Sequence, residues 1–467
     1  MKEFLNKVFK LEENKTTIQT EIIAGITTFF AMCYIIIVNP NQMTGFTPGL
    51  TSIWNACFVG GIIAAVISTL LMAFIANKPF ALASGMGLNS FFFISFILPN
   101  VLNAEAGYKA GLAVILLSGV IFLILSVTGL RKYLAYNLPQ CLKTAIPAGI
   151  GLFIAFIGLQ NCGLVVPNEH TGVALADFTK GPAVAIPAII GLLGFILVIV
   201  FSNCKNKILK GTSIIASILA CTALYYILVL IFEVDINITT TSLGESFKDW
   251  ARLGFFGAFE GFKHVFDGLV GGAFSVIMLV ITYSLVDMFD TLGTLYGASI
   301  EAGMVDENGD PEGLEAEMLC DSIGTAAGAL VGTSTTTTFV ESSAGVAAGG
   351  RTGLASFVTA ILFLLCLFIA PLAQYVPSCA TAPALIYVGL LMSKNICNID
   401  FNDFRSAATG FITFLMMIVT YSISNGIMLG AITYVVISLL TKQYTKKDII
   451  VTIIALLGIL RFAFITM

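Results

Sequence analysis

The sequence predicts an all-α polytopic membrane protein of about fourteen transmembrane spans, arranged as two inverted seven-span repeats. Three observations lead there. The first is composition. Of 467 residues, 57% are hydrophobic and 11% charged, and the mean hydropathy is +0.96; a soluble domain carries about 25% charged residues. So few charges cannot cover a water-soluble globule of this length. A soluble enzyme, a nucleic-acid binder and a disordered chain are therefore excluded. The second is the placement of positive charge. With the N-terminus inside, only Lys109, Lys180, Lys248, Arg252 and Lys263 fall in outer segments; Arg461 lies in an apolar stretch, and the rest of the 23 Lys and Arg are cytoplasmic. That is the positive-inside bias. The third is similarity between the two halves of the chain.

Residues 1–19 are polar, with Lys2, Lys7, Lys10 and Lys15, and carry Phe4, Leu5, Val8, Phe9 and Leu11 at helical spacing. A secretory signal would place an apolar stretch directly after its basic start. The segment reads instead as a cytoplasmic surface helix. A spanning helix needs about 20 largely apolar residues. Such stretches occur at 20–39, 54–76, 79–99, 108–129, 145–166, 184–202 and 211–233. They resume at 270–297, 316–332, 333–349, 353–375, 378–393, 405–422 and 425–441. Three of these, at 79–99, 333–349 and 378–393, are poor uniform helices. The stretch 448–466 contains Arg461 and reads either as a fifteenth span or as a helix on the membrane surface. Residues 2–15, 130–143, 203–210 and 298–315 are expected in the cytoplasm. The loop 298–317 carries no Lys or Arg, but acidic residues weigh little in orientation. The ten cysteines form no C-x-x-C pair and read as small buried hydrophobes. His170 and His264 lie in polar connections, so no histidine falls within a span.

The polar connection 234–268 separates a first repeat, 20–233, from a second, 269–441, with 1–19 before and a basic and apolar tail, 442–467, after. Seven spans is an odd number, so the second half enters from the opposite side. "KTAIPAGIGLFIA" at 143–155 is similar to "CATAPALIYVGLLM" at 379–392, and "NKPFALASGMGLNS" at 77–90 lies over "GTSTTTTFVESSAG" at 332–345. Inverted repeats with interrupted helices in matching positions point to a secondary transporter. The interruption has a physical cause. The threonines 335–338 are β-branched and favour an extended chain; the small residues after them start a helix. A strand meeting a helix start leaves backbone N–H groups that lipid cannot satisfy, so they must face protein, water or a ligand. In the overlay Met86 takes the place of Glu341.

Carboxylates within spans are costly and are functional candidates. Asp287 and Asp290 lie in "SLVDMFDTLGTLYG", where helical spacing sets Asp287, Asp290, Thr291 and Thr294 on one stripe. Asp290 reads as a site acid or as one capped by threonines, Asp287 as an acid that positions the other, and Asp321 as one near the water boundary. Glu341 follows the threonine run at an expected helix start, where the dipole favours a negative group. Asn89 reads either as a helix–helix hydrogen bond or as a ligand group. Phe91, Phe92 and Phe93 read as core or lipid-facing residues.

Five segments carry a family resemblance: 21–40, "SGMGLNSFFF" at 84–93, 149–161, "LVDMFDTLGTLYG" at 285–297 and "TSTTTTFVESSAGVAAGGRTGLAS" at 333–356. Over roughly 20–441 the chain resembles the AzgA-type purine permeases, of the nucleobase–cation symporter branch of the nucleobase/ascorbate transporters. The resemblance implies a core domain from 20–129 and 270–375 and a gate domain from 143–233 and 378–441, with short strands in the third and tenth spans. It implies proton-coupled uptake of hypoxanthine, guanine or adenine by alternating access. Asp290 and Glu341 match the family's substrate-contacting carboxylates, Asp287 a nearby acid required for transport, and Asn89 the polar residue of the third span. Uracil and xanthine relatives have a Glu at the position of Asp290 and a His at that of Thr294, which favours the purine branch here.

A purine is flat and apolar on its faces, with donors and acceptors on its edge. An ionised carboxylate accepts from N–H donors, and backbone N–H groups near 85–89 and 341–345 can donate. The expected substrate contacts are Asp290, Glu341, Asn89, Met86, Gly87, Thr294 and Ser342. The expected proton-coupling groups are Asp287, Asp290 and Glu341. No metal, cofactor or catalytic residue is expected. The partners are a purine nucleobase, a co-transported proton and the lipid of the cell membrane, with no nucleic acid and with a homodimer as an allowed assembly. A xanthine or uracil permease of the same fold is the alternative. An anion transporter of this architecture would want a basic group where these acids stand. A membrane aspartyl protease would need acids meeting from two helices, whereas Asp287 and Asp290 share one.

Overall fold

The computed structural model describes residues 2–47, 49–129, 137–234, 241–305 and 311–464. Parts of the cytoplasmic segment 130–143 (130–136), of the connection 234–268 (235–240) and of the acidic loop (306–310) lie outside the described residues.

Helix α1 (Lys2–Phe9) and the turn after it bury Phe9 and Leu11 against Ala73 and Leu354 and leave Phe4 facing out. The first span is broken: α2 (Ile18–Met32) and α3 (Ile35–Met43) meet at Cys33–Tyr34. Then come α4 (Thr51–Leu71), β1 (Leu82–Ser84), α5 (Met86–Phe92), α6 (Ala104–Val127) and α7 (Gln140–Asn161). A hairpin of β2 (Val165–Asn168) and β3 (Gly172–Leu175) leads to α8 (Pro182–Ser202) and α9 (Ser213–Ile231). The connection between halves is not a plain loop. Its α10 (Leu243–Asp249) and α11 (Gly257–Phe266) are tied to the bundle where Trp250 Nε1 donates to the Val331 carbonyl at 2.7 Å and Arg252 grips Glu105 at 2.7 Å through both nitrogens. The second half holds α12 (Ala273–Ala302), α13 (Leu314–Val331), β4 (Thr336–Thr338), α14 (Ser342–Ala347) and α15 (Gly353–Leu365). It ends with α16 (Ser378–Ser393), α17 (Phe404–Val419), α18 (Ile423–Leu440) and α19 (Ile449–Phe464).

Among the described residues, nine helical segments are long and apolar enough to cross a membrane, and three shorter apolar helices lie at Gly353–Ile369, Phe404–Val419 and Ile449–Ala463. The stretches 316–332 and 333–349 are not among them. The first carries the acids Glu317 and Asp321, and the second is a strand followed by a six-residue helix. The tail helix α19 packs on α18, with Arg461 buried and donating to Ser424 Oγ at 2.5 Å.

The strands β1 and β4 pair antiparallel, Leu82 with Thr338 and Ser84 with Thr336. They are held alike. Thr69 on α4 accepts from Leu82 N at 3.0 Å and donates to Leu82 O at 2.9 Å. Thr325 on α13 accepts from Thr336 N at 3.2 Å and donates to Thr336 O at 3.1 Å. In each half the preceding long helix thus satisfies strand backbone groups that lipid would leave unpaired. The gapless overlay of 77–90 on 332–345 needs one correction. Gly85 alone separates β1 from α5, whereas Phe339, Val340 and Glu341 separate β4 from α14. At the helix start Glu341 therefore stands where Gly85, not Met86, stands in the first half.

A second correction concerns 378–393, expected as a poor helix: it is the continuous α16. The small residues and Pro383 that weaken its pattern serve packing. A Cβ on Gly151 would lie 2.8 Å from the Gly389 carbonyl oxygen, so α7 and α16 cross almost backbone to backbone. The two similar segments 143–155 and 379–392 are thus in mutual contact.

Candidate functional site

A cavity opens where the β1–β4 pair meets the helices around it. It is lined by Met86, Asp290, Thr294 and residues 337–341 on one side, and by Ile154, Val388 and Met392 on the other. Its volume is about 20 Å³, little more than the room one water molecule needs. A flat ring fits only once its two sides part. The polar wall comes from α12 and the crossing, the apolar wall from α7 and α16.

Glu341 stands at the N-terminal boundary of the six-residue α14 at 5% exposure, and its side chain accepts from the Tyr34 hydroxyl at 2.5 Å rather than from the helix's own N–H groups. Tyr34 is fully buried at the break between α2 and α3, and its hydroxyl also lies 3.5 Å from Met86 Sδ. It joins the two halves of the crossing, and sequence reasoning missed it. A tyrosine in an apolar span looks like core; the only signal was its place in the 21–40 segment that carries the family resemblance. Tyr34→Phe should lose about 1–3 kcal/mol of stability, the cost of leaving a buried polar group unpaired. Thermal unfolding in detergent checks this; an unchanged midpoint would mean that the bond is not made.

Asp290 projects from α12 at 7% exposure, and among the described residues no group donates to its carboxylate. A Cβ on Gly85 would lie 3.7 Å from Asp290 Oδ2, which sets this acid against the crossing. Thr294 lines the cavity one turn on, with its hydroxyl donating to the carbonyls of Asp290 and Thr291 at 3.0 Å.

Asp287, buried at 1% exposure, does not line the cavity. Its Oδ2 lies 2.9 Å from Thr325 Oγ1, the hydroxyl that clasps β4, whose one proton is shared between this carboxylate and the Thr336 carbonyl. Asp321 accepts from Thr291 Oγ1 at 2.8 Å, and Thr291 lies 3.0 Å from Thr337 Oγ1. Both acids therefore act on the strand from behind.

Three expected contacts stand elsewhere. Asn89 donates to Asn39 Oδ1 at 3.0 Å and accepts from Ser84 Oγ at 3.0 Å, so its amide is spent on helix–helix bonds. Ser342 Oγ accepts from Ala81 N at 3.0 Å, which fixes the approach to β1. Gly87 faces α18: a Cβ there would come within 2.7 Å of Ile423 Cδ1, and the tip of that side chain would have to turn aside. All three support the crossing rather than line the cavity. Among the described residues no cluster of three His, Cys, Asp or Glu could hold a metal ion.

Comparison with known proteins bears on this arrangement. A family model described as Permease family, of the xanthine/uracil permeases, matches residues 19–429. A putative permease of Methanocaldococcus jannaschii is 36% identical over 99% of both chains. An adenine permease of Escherichia coli is 36% identical over 99% of this chain and 96% of its own. A guanine/hypoxanthine permease of Bacillus subtilis is 37% identical over 91% of this chain and 92% of its own. Among solved structures, the transmembrane domain of the cyanobacterial bicarbonate transporter BicA has a TM-score of 0.59 at 14% identity, covering 86% of this chain and 95% of that one. The murine anion transporter Slc26a9, inward-facing, has a TM-score of 0.53 at 12% identity, covering 99% and 72%. These two likenesses concern the fold alone. With a family match across most of its length and relatives that it matches end to end, the chain belongs to the xanthine/uracil permease family and is a membrane transporter, not an enzyme.

Proposed function

We propose that the chain takes up purine nucleobases, namely hypoxanthine, guanine or adenine, across the cytoplasmic membrane in symport with protons. The observation that carries this reading is the two-sided cavity: Asp290 and Glu341 face Ile154, Val388 and Met392. A purine ring can lie against the apolar wall and turn its N–H edge to the carboxylates. The permease relatives named for adenine and for guanine/hypoxanthine support the same substrate class.

The proposed topology has fourteen spans with the N-terminus in the cytoplasm. The core unit is 20–129 with 270–375, and the gate unit is 143–233 with 378–441. The polar wall then belongs to the core and the apolar wall to the gate. Movement of one against the other would open the cavity to either side in turn. Asp290, Glu341, Met86 and Thr294 contact substrate; Asn89, Ser342 and Gly87 hold the crossing; Asp287, Asp290 and Glu341 serve proton coupling.

Uptake of labelled hypoxanthine by cells expressing the chain, with unlabelled competitors, tests the substrate class. Guanine, hypoxanthine or adenine should compete and uracil should not. Competition by uracil or xanthine alone would overturn the purine reading.

A further inference from the structure

We propose that Glu317 receives the co-transported proton on the cytoplasmic side, linked to the cavity through Thr337, Thr291 and Asp321. The proposal rests on the symport reading above and adds a route to it. Glu317 stands in the first turn of α13, wholly buried, and neither carboxylate oxygen has a hydrogen-bond partner among the described residues. Native proteins rarely leave a buried polar group in that state without a use for it. A carboxyl that no donor pins can take and release a proton without breaking a bond.

The connection to the cavity is short. Thr337 lines it, and its hydroxyl lies 3.0 Å from that of Thr291, which donates to Asp321 Oδ1 at 2.8 Å. Asp321 is one helical turn from Glu317, about 5–6 Å between Cβ atoms, and the route requires one water in that gap. Nearby charged and titratable groups can be named. Lys78, from the connection between α4 and β1, acts on Glu317 without closing an ion pair; its Cε is 3.6 Å from where a Cβ on Gly313 would be. Cys320 and Asp321 share its helix, and α12 brings Asp287 and Asp290 further along. Helix α6 brings the Ser126 hydroxyl, 2.7 Å from that of Ser322.

The step balances. No hydrogen bond joins Asp290 or Glu341 to Thr337 among the described residues, so a protonated cavity carboxyl gives its proton through a water to the Thr337 oxygen as the Thr337 proton passes to Thr291. The Thr291 proton passes to Asp321, and the bridging water carries it to Glu317. The hydroxyls end unchanged, and one proton leaves the cavity for each that reaches the cytoplasmic end.

The test uses the full chain in proteoliposomes, with labelled hypoxanthine as probe. Glu317→Gln should keep counterflow exchange and its KM but lose accumulation driven by a pH gradient, and Glu317→Asp should restore part of it. Thr291→Val, a second variant of near-equal volume, should show the same split, and Thr291→Ser should rescue it. Accumulation by Glu317→Gln at the unsubstituted level overturns the route. So does equal loss of exchange and accumulation with no recovery in Glu317→Asp, which marks a structural role. Failure of the unsubstituted protein to respond to a pH gradient overturns the symport reading, and the route with it.

Discussion

Glu341→Gln is expected to weaken purine binding by about ten- to a hundred-fold, the value of one lost charge-assisted hydrogen bond of roughly 1.5–3 kcal/mol. The carboxylate reaches the cavity from the turn between β4 and α14, with the Tyr34 hydroxyl on Oε1. The amide can still accept from Tyr34 through its oxygen. It then turns an NH₂ donor toward the ligand, where a guanine edge presents donors of its own. The change is isosteric, and the protein should fold and reach the membrane. Calorimetry on the purified variant reads the effect. Unchanged affinity for every purine tested would remove Glu341 from the site.

Asp290→Asn should be at least as damaging. Among the described residues no group donates to this carboxylate, so its accepting capacity is open to a ligand. Binding and transport should fall together, by a factor of about ten or more. Asp287→Asn should behave differently. Asp287 is turned to Thr325 and away from the cavity, and an amide oxygen can still accept that 2.9 Å bond. Its binding should stay close to that of the unsubstituted protein while accumulation drops. Equal loss of binding in both variants would show that the two acids act as one unit.

The interruption within 333–349 was legible because four β-branched threonines run into small residues, a pattern that suits no uniform helix. Helix spacing set Asp287, Asp290, Thr291 and Thr294 on one stripe, of which Asp290 and Thr294 line the cavity. What spacing cannot give is the direction in which each side chain turns. Asp287 and Asp290 are three residues apart, yet only Asp290 lines the cavity, because Thr325 draws the other behind β4. Asn89 and Ser342 look like ligand groups until their partners, Asn39, Ser84 and the Ala81 amide, are seen. The Asn39–Asn89 and Ala81–Ser342 bonds join positions 50 and 261 residues apart, and no local pattern encodes them. The turn that sets Glu341 apart from Met86 was hidden because an overlay without gaps spreads a two-residue difference into one-residue errors at each end. Segment 378–393 misled for the opposite reason: Pro383 and Gly389 weaken a helix in isolation but allow α16 to pack on α7.

Proton-coupled purine transport through this cavity is tested most directly by uptake into proteoliposomes that hold the purified chain and no other transporter. Labelled hypoxanthine is supplied outside under an imposed inward pH gradient, with and without sodium. The expected result is accumulation above the outside concentration that a protonophore abolishes and that sodium removal leaves intact. Accumulation that survives the protonophore and disappears with sodium would contradict the account, as would a chain that moves no purine under either gradient.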